Sequence, residues 1–337
     1  MNSKVDLEKE LIKSKQVLKK QLAVFGFILL AVVVVFSVYI YRNLSEDCVS
    51  CREEYRKELF RYSFLDPTRN LMEQKDAITN IDPLRKKLKE LVALEASSSR
   101  ISIYFEVLNT GANISVNQDE KIFPVSLAKV ALAMLVIKKI ENGEFDINQQ
   151  FEITDENMNS SSGYLFETVK SGSKVEMQKL LREMLINSDN TAYRILKRNT
   201  NLEDRKKLAD DIGLGELFDD QGRISAKEYS RLLRTLYTAS YLNQEHSQMI
   251  LELLSQNSFK NYLSTGMPGD TVFSHKHGQN LTLNVYSDSG IVYLPNRPYI
   301  ISAMVEPFNL KGHDGEIYAE NLFRQFSQEA YQFIKNK

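Results

Sequence analysis

The chain carries almost no surplus charge. Lys and Arg number 43 against 44 Asp and Glu, a formal net charge of −1. With no basic excess to hold a phosphate backbone, a nucleic-acid partner is not expected. Cysteine is scarce: Cys48 and Cys51 are the only two. That is too few for a disulfide framework or a four-ligand zinc site, and no metal or other cofactor is expected. Tryptophan is missing, so the aromatic part of a core falls to 17 Phe and 16 Tyr. With 43% hydrophobic residues among 337, a substantial core can still be built, in one large domain with appendages or in two domains. No internal repeat or low-complexity tract is visible.

One long greasy run is present. Residues 22–41 contain only Gly26 and Ser37 as non-greasy members. Twenty residues at 1.5 Å each span roughly 30 Å, the thickness of a hydrocarbon core, which predicts a transmembrane helix. The run is long for a signal peptide, and no small-x-small cleavage site follows it. Lys13, Lys15, Lys19 and Lys20 precede it, whereas Glu46 and Asp47 follow soon after Arg42. The positive-inside rule then places 1–21 as a cytoplasmic tail and the bulk outside, a single-pass protein of the bacterial plasma membrane in contact with the bilayer through 22–41. Residues 42–80 are charged and read as an extracytoplasmic stalk. Its Cys48-Val-Ser-Cys51 pair can close locally or link two chains as a dimer.

A globular domain is expected over 81–337. Asp82-Pro83 opens a helix to about Ala96, with Asp82 as its cap and Leu84, Leu88, Leu91, Val92 and Leu94 as its apolar members. Alternation predicts strands over 101–108 and 112–117. A greasy helix ends at Asn142-Gly143, and residues 144–174 read as loop. Helices follow at 175–186 and 191–197, then charged helices and loops over 202–258. Strand-like runs cover 271–274, 282–294 and 299–305. The last element, 316–334, is an amphipathic helix with Ile317, Leu322, Phe323, Phe326, Ala330 and Phe333 on one face. The order predicts an α+β fold: one antiparallel sheet flanked by helices, with a helical subdomain inserted.

The chemistry starts at Phe123-Pro124-Val125-Ser126-Leu127-Ala128-Lys129. Pro124 breaks any preceding element, so Ser126 stands where a helix begins and Lys129 follows on the same face. The apolar run Val130 to Ile137 makes this helix central. A lysine held near such a core loses water, its pKa falls, and it becomes a base for the adjacent hydroxyl. Ser171 and Lys174 repeat the spacing in the segment Lys170-Ser-Gly-Ser-Lys174, which reads as a loop. Two further motifs stand downstream. Asn187-Ser188-Asp189-Asn190-Thr191 sits at a break between helices, where Ser188 and Asn190 can point the same way. The same residues also serve as ordinary helix caps. Phe273-Ser274-His275-Lys276-His277-Gly278 sits at a strand end.

With Ser126-x-x-Lys129, Ser188-Asp-Asn190 and Lys276-His-Gly278 in that order, residues 81–335 resemble the serine β-lactamase and penicillin-binding family, in its class A β-lactamase-like branch. The resemblance implies the β-lactamase/transpeptidase-like fold and a serine hydrolase acting on a small-molecule β-lactam or a peptidoglycan stem peptide ending in D-Ala-D-Ala. It implies that Ser126 attacks the carbonyl, Lys129 takes its proton, and Ser188 passes a proton to the leaving nitrogen. Asn190 would hold the substrate's amide and Lys276 its carboxylate. The N–H groups of Ser126 and Gln279 would form the oxyanion hole, and Gly278 would complete the substrate strand.

Two departures stand out. His277 occupies the place of a hydroxyl residue, where an imidazole can donate but is larger. The glutamate that orients the deacylating water has no recognisable Glu-x-x-x-Asn context. Ser188 and Lys276 are only 88 positions apart, and Gly213 to Gly222 replaces the usual loop. Glu216, Asp219 and Asp220 are the candidate substitutes in that segment, each more at home as a solvated loop acid. Slow deacylation is therefore expected. The alternative is a non-catalytic cell-wall-binding or penicillin-sensing protein.

Overall fold

The computed structural model describes residues 19–20, 22, 25–27, 29–37, 63–65, 80–219 and 222–337. The chain forms two compact units, Met1–Arg61 and Tyr62–Lys337. In the first, the described residues of 19–37 are helical. Among the described residues no helix is long and apolar enough to cross a membrane. Cys48 and Cys51 lie outside the described residues, as do most of the expected tail and stalk.

The second unit is built on a five-stranded antiparallel sheet. Helix α1 (Asp82–Glu95) leads into β1 (Ser99–Val107) and β2 (Asn113–Val116). A single 3-10 turn, Val125–Leu127, then runs into α2 (Ala128–Glu141). The small pair β3 (Gln150–Glu152) and β4 (Lys174–Glu176) brackets a short helix α3 (Leu165–Thr168). Five helices follow: α4 (Met177–Ile186), α5 (Asn190–Arg198), α6 (Leu202–Asp211), α7 (Ala226–Tyr237) and α8 (Gln244–Ser255). After a 3-10 turn at Tyr262–Gly266, the chain returns as β5 (Phe273–Asn280), β6 (Val285–Val292) and β7 (Tyr299–Pro307), and closes with α9 (Gly312–Lys335). The strand order is β2-β1-β7-β6-β5, so β5 is an edge.

Alternation along the strands sends two sets of side chains to two cores. Ile101, Ile103 and Phe105 of β1 and Ile301 and Val305 of β7 meet α1 and α9. Tyr104, Ile300, Met304 and Ile291 face the helical subdomain. Helix α2 runs through that second core with every residue from Ala128 to Ile137 buried, as its all-round apolar sequence requires. The expected antiparallel sheet flanked by helices is therefore borne out.

Several expected details shift. Ile81, not Asp82, takes the cap position of α1; Asp82 lies in the first turn and pairs with Lys86 at 3.2 Å. Leu94 is exposed, because it falls opposite the Leu84–Leu88–Val92 stripe. Helix α9 starts at Gly312, and Ile317 is 44% exposed rather than on the buried face. Strand β5 begins later and runs further than expected, so Lys276-His277-Gly278 is mid-strand, not at a strand end. Phe64, in the segment read as stalk, packs on this unit. Its N–H donates to Gln248 Oε1 (2.8 Å), and its ring meets Tyr293 edge-on.

Candidate active site

Pro124 precedes a backbone that is bent sharply before the helix starts. Val125 has φ +44°, a left-handed conformation that a β-branched residue rarely adopts. Ser126 sits on the next residue, in the 3-10 turn. The turn is held from below by Tyr229, whose buried hydroxyl donates to Leu127 O at 3.2 Å. Lys129 follows in the first turn of α2 and is buried.

Lys129 does not hydrogen-bond to Ser126. Its Nζ donates to Ser188 O (2.5 Å), Ser188 Oγ (3.1 Å) and Asn190 Oδ1 (2.7 Å). The Tyr193 ring centroid lies 5.7 Å from the same ammonium. Burial strips water from Lys129 and pushes its pKa down to about 7, against the opposing pull of Asp189. The amine is therefore poised between its two protonation states near neutral pH.

The Ser188–Asn190 turn is locked by the residue between them. Asp189 is fully buried and caps α5, where Oδ1 accepts from Ala192 N–H (2.8 Å); Oδ2 accepts from Leu165 N–H (2.8 Å). Ser188 takes φ +55°, which turns its carbonyl and hydroxyl together onto Lys129. Asn190 is fixed at both ends of its amide, since Nδ2 donates to Ser161 Oγ at 2.7 Å. The cap and the functional motif are thus one structure. Asp189, Ser161, Tyr193 and Tyr229 had no distinctive sequence signal beyond Asp189's capping chemistry.

Edge strand β5 closes the site. A Cβ on Gly278 would lie 2.6 Å from Val125 Cγ2 and 2.8 Å from Ser126 N, so only glycine lets the strand approach the nucleophile turn. Lys276 is fully buried, and its Nζ donates only a 3.3 Å bond, to His277 O. Desolvation, then repulsion from Lys129, holds its pKa well below the usual lysine range; Asp288 pulls the other way. The third motif and the first two therefore converge on one place. Gln279 is exposed, and its Oε1 accepts from Tyr262 OH (2.7 Å), so its side chain faces away from Ser126. Ser171 is exposed on the loop before β4, and Lys174 is the exposed first residue of that strand.

Residues 83–334 match the family model described as "Beta-lactamase enzyme family". The chain belongs to that β-lactamase family. It is a class A β-lactamase-like serine hydrolase. Its fold is similar to that of PBP-A, at 20% identity and TM-score 0.68 over 76% of this chain and 97% of that one. A Leu-to-Glu variant of PBP-A, described as an acyl-enzyme complex with penicillin G, gives the same identity and score over 76% and 98%. The β-lactamase of Sphaerobacter thermophilus follows at 16% identity and TM-score 0.66, over 76% and 98%. No curated protein matches by sequence.

Against this family background, the described residues of the replacement loop carry no carboxylate to the amine. Leu214 and Leu217 turn inward and are buried. Glu216 turns outward to Lys121 at 2.8 Å, and Asp219 to Lys206 at 2.6 Å. Asp220 lies outside the described residues. Among the described residues no carboxylate hydrogen-bonds to Ser126 or Lys129. Nor do the described residues contain a group of His, Cys, Asp and Glu arranged to hold a metal ion.

Proposed function

We propose that this β-lactamase-family enzyme is acylated at Ser126 by β-lactams or by peptides ending in D-Ala-D-Ala, and that it releases the acyl group slowly. One observation carries the reading: a buried Lys129 one turn after Ser126, bonded to both polar residues of the Ser188–Asn190 turn, where burial pushes its pKa down to about 7. Neutral Lys129 takes the proton as Ser126 Oγ attacks the carbonyl. Ser188, in contact with Lys129, carries that proton to the departing nitrogen. The N–H groups of Ser126 and Gln279 receive the oxyanion, each donor worth roughly 10²–10³ in rate. Asn190 meets the substrate's amide and Lys276 its carboxylate. Deacylation needs a water activated by a base, and Glu216 and Asp219 of the loop that would supply one are spent on surface ion pairs.

The test is intact-protein mass spectrometry after penicillin exposure, followed over time. A single stable adduct, absent in Ser126→Ala, is expected. Rapid loss of the adduct with continued turnover would overturn slow release. No adduct would leave the wall-binding or sensing alternative.

We further propose that residues 22–41 anchor the enzyme in the bacterial plasma membrane, with the catalytic unit outside. The apolar run and its flanking lysines support this. Recovery of the full chain in the soluble fraction would refute it.

A further inference from the structure

Strand β5 offers alternate side chains to two sides. Lys276 and Gly278 turn toward Ser126, as the Cβ position at Gly278 shows. His277 and Gln279 turn the other way, and the segment 259–262 holds both. The His277 imidazole lies flat on Phe259, with ring centroids 3.8 Å apart and planes 14° from parallel. Phe259 in turn meets Tyr262 edge-on at 4.7 Å, and the Tyr262 hydroxyl donates to Gln279 Oε1 at 2.7 Å. Tyr262 adopts φ +55°, a costly conformation for an aromatic residue, to reach that position. Phe259 and Tyr262 form a clasp on the side chains that follow Lys276.

The clasp has a consequence for charge as well as position. Stacked and largely buried, His277 is strongly disfavoured as a cation, by desolvation first and then by Lys276, His275 and Lys129. Its Nδ1 is buried with no hydrogen-bond partner. The imidazole therefore brings neither a positive charge nor a freely rotating hydroxyl to the edge of the acyl site.

We propose that His277, held by Phe259 and Tyr262, is a specificity-determining residue: it withdraws the side chain beside Gly278 from the substrate and leaves Lys276 as the one β5 side chain that recognises a carboxylate. The enzyme then discriminates only weakly between substrates that bear that carboxylate and the corresponding neutral esters. The inference rests on Ser126 being the acylated residue.

The experiment compares the rates at which a penicillin and its methyl ester acylate the full chain, read as mass added at Ser126. In the unsubstituted enzyme the acid is expected to react less than about tenfold faster than the ester. His277→Thr suits a strand and places a hydroxyl at the same position. It should raise the acid-to-ester ratio roughly tenfold, the worth of one added hydrogen bond to a charged group. Phe259→Leu, which releases the ring without touching β5, should also change the ratio, and guards against a His277 variant that fails to fold. A ratio that moves less than twofold in both variants would overturn the proposal, as would strong preference for the acid in the unsubstituted enzyme. If neither compound labels Ser126, the acylation reading fails and this inference falls with it. If both label it but the ratio stays put, only the role of His277 is lost.

Discussion

The turn at 187–191 and the loop at 213–219 belong to the same helical subdomain and could hardly be built more differently. In the first, Asp189 is sealed from water and answers two backbone N–H groups, while Ser188 and Asn190 share one lysine. In the second, the polar side chains point out to Lys121 and Lys206, and the buried positions are leucines. A buried polar network holds its geometry because every member has a partner. Exposed ion pairs hold little, typically about 0–1 kcal/mol. The turn that holds Lys129 is thus preorganised, whereas among the described residues the loop at 213–219 aims no carboxylate at the amine. The contrast separates two steps of one reaction onto two regions.

The contrast breaks most visibly at Lys129. Replacing it by Ala removes the only basic group among the described residues that hydrogen-bonds to Ser188 Oγ, and acylation by penicillin should fall by about 10²–10⁴, the usual worth of a positioned base. Rapid-quench mass spectrometry reads the effect; a loss under tenfold would mean that Ser126 is activated by another group. Gly278→Ala is expected to come next. Its new Cβ would press on Ser126 N and Val125 Cγ2, and backbone cannot move aside cheaply. A displacement near 1 Å at the nucleophile costs on the order of a hundredfold. The same rapid-quench assay, on protein shown by thermal melting to be folded, checks it. An unchanged rate would show that β5 does not set the position of Ser126.

Acidity sharpens the comparison by a smaller step. A general base works only when neutral, and Lys129 is pushed down to about 7. Acylation should therefore rise about tenfold per pH unit below about pH 7 and level off above it. A rate still climbing toward pH 10 would mean that the lysine keeps its ordinary affinity for the proton.

How much of this was legible in the chain follows from the range of each interaction. Ser126 and Lys129 are neighbours along one helix, so their spacing announces them. Ser188 and Asn190 flank a cap residue, so local chemistry announces them too. What brings the two pairs together is 59 positions of intervening chain between Lys129 and Ser188, and no spacing rule encodes it. The same limit hid the left-handed turn at Val125, a conformation its β-branched side chain argues against. Strand β5 was expected to stop at Ser274, and nothing local accounts for the Gly278 it carries further on. Its real reason, clearance for Ser126 N, lies across the cleft. Ile317 was misplaced because nine residues at 3.6 per turn set it nearly opposite the buried Phe326 on α9. The direction of His277 was equally hidden, since it depends on Phe259 and Tyr262 stacking from another segment.

The smallest effect is the most discriminating. Glu216→Gln and Asp219→Asn each remove one exposed ion pair, at Lys121 and Lys206. If these acids are surface groups, the lifetime of the penicillin adduct on Ser126 should stay within about twofold of the unsubstituted enzyme, because such pairs contribute little and stand apart from Lys129's hydrogen bonds. If either one swings inward once the acyl group is in place, its loss would lengthen that lifetime many-fold. The adduct lifetime is measured after acylation has occurred, in the state where such a movement would have to take place. A null result in both variants would show that neither Glu216 nor Asp219 activates the deacylating water.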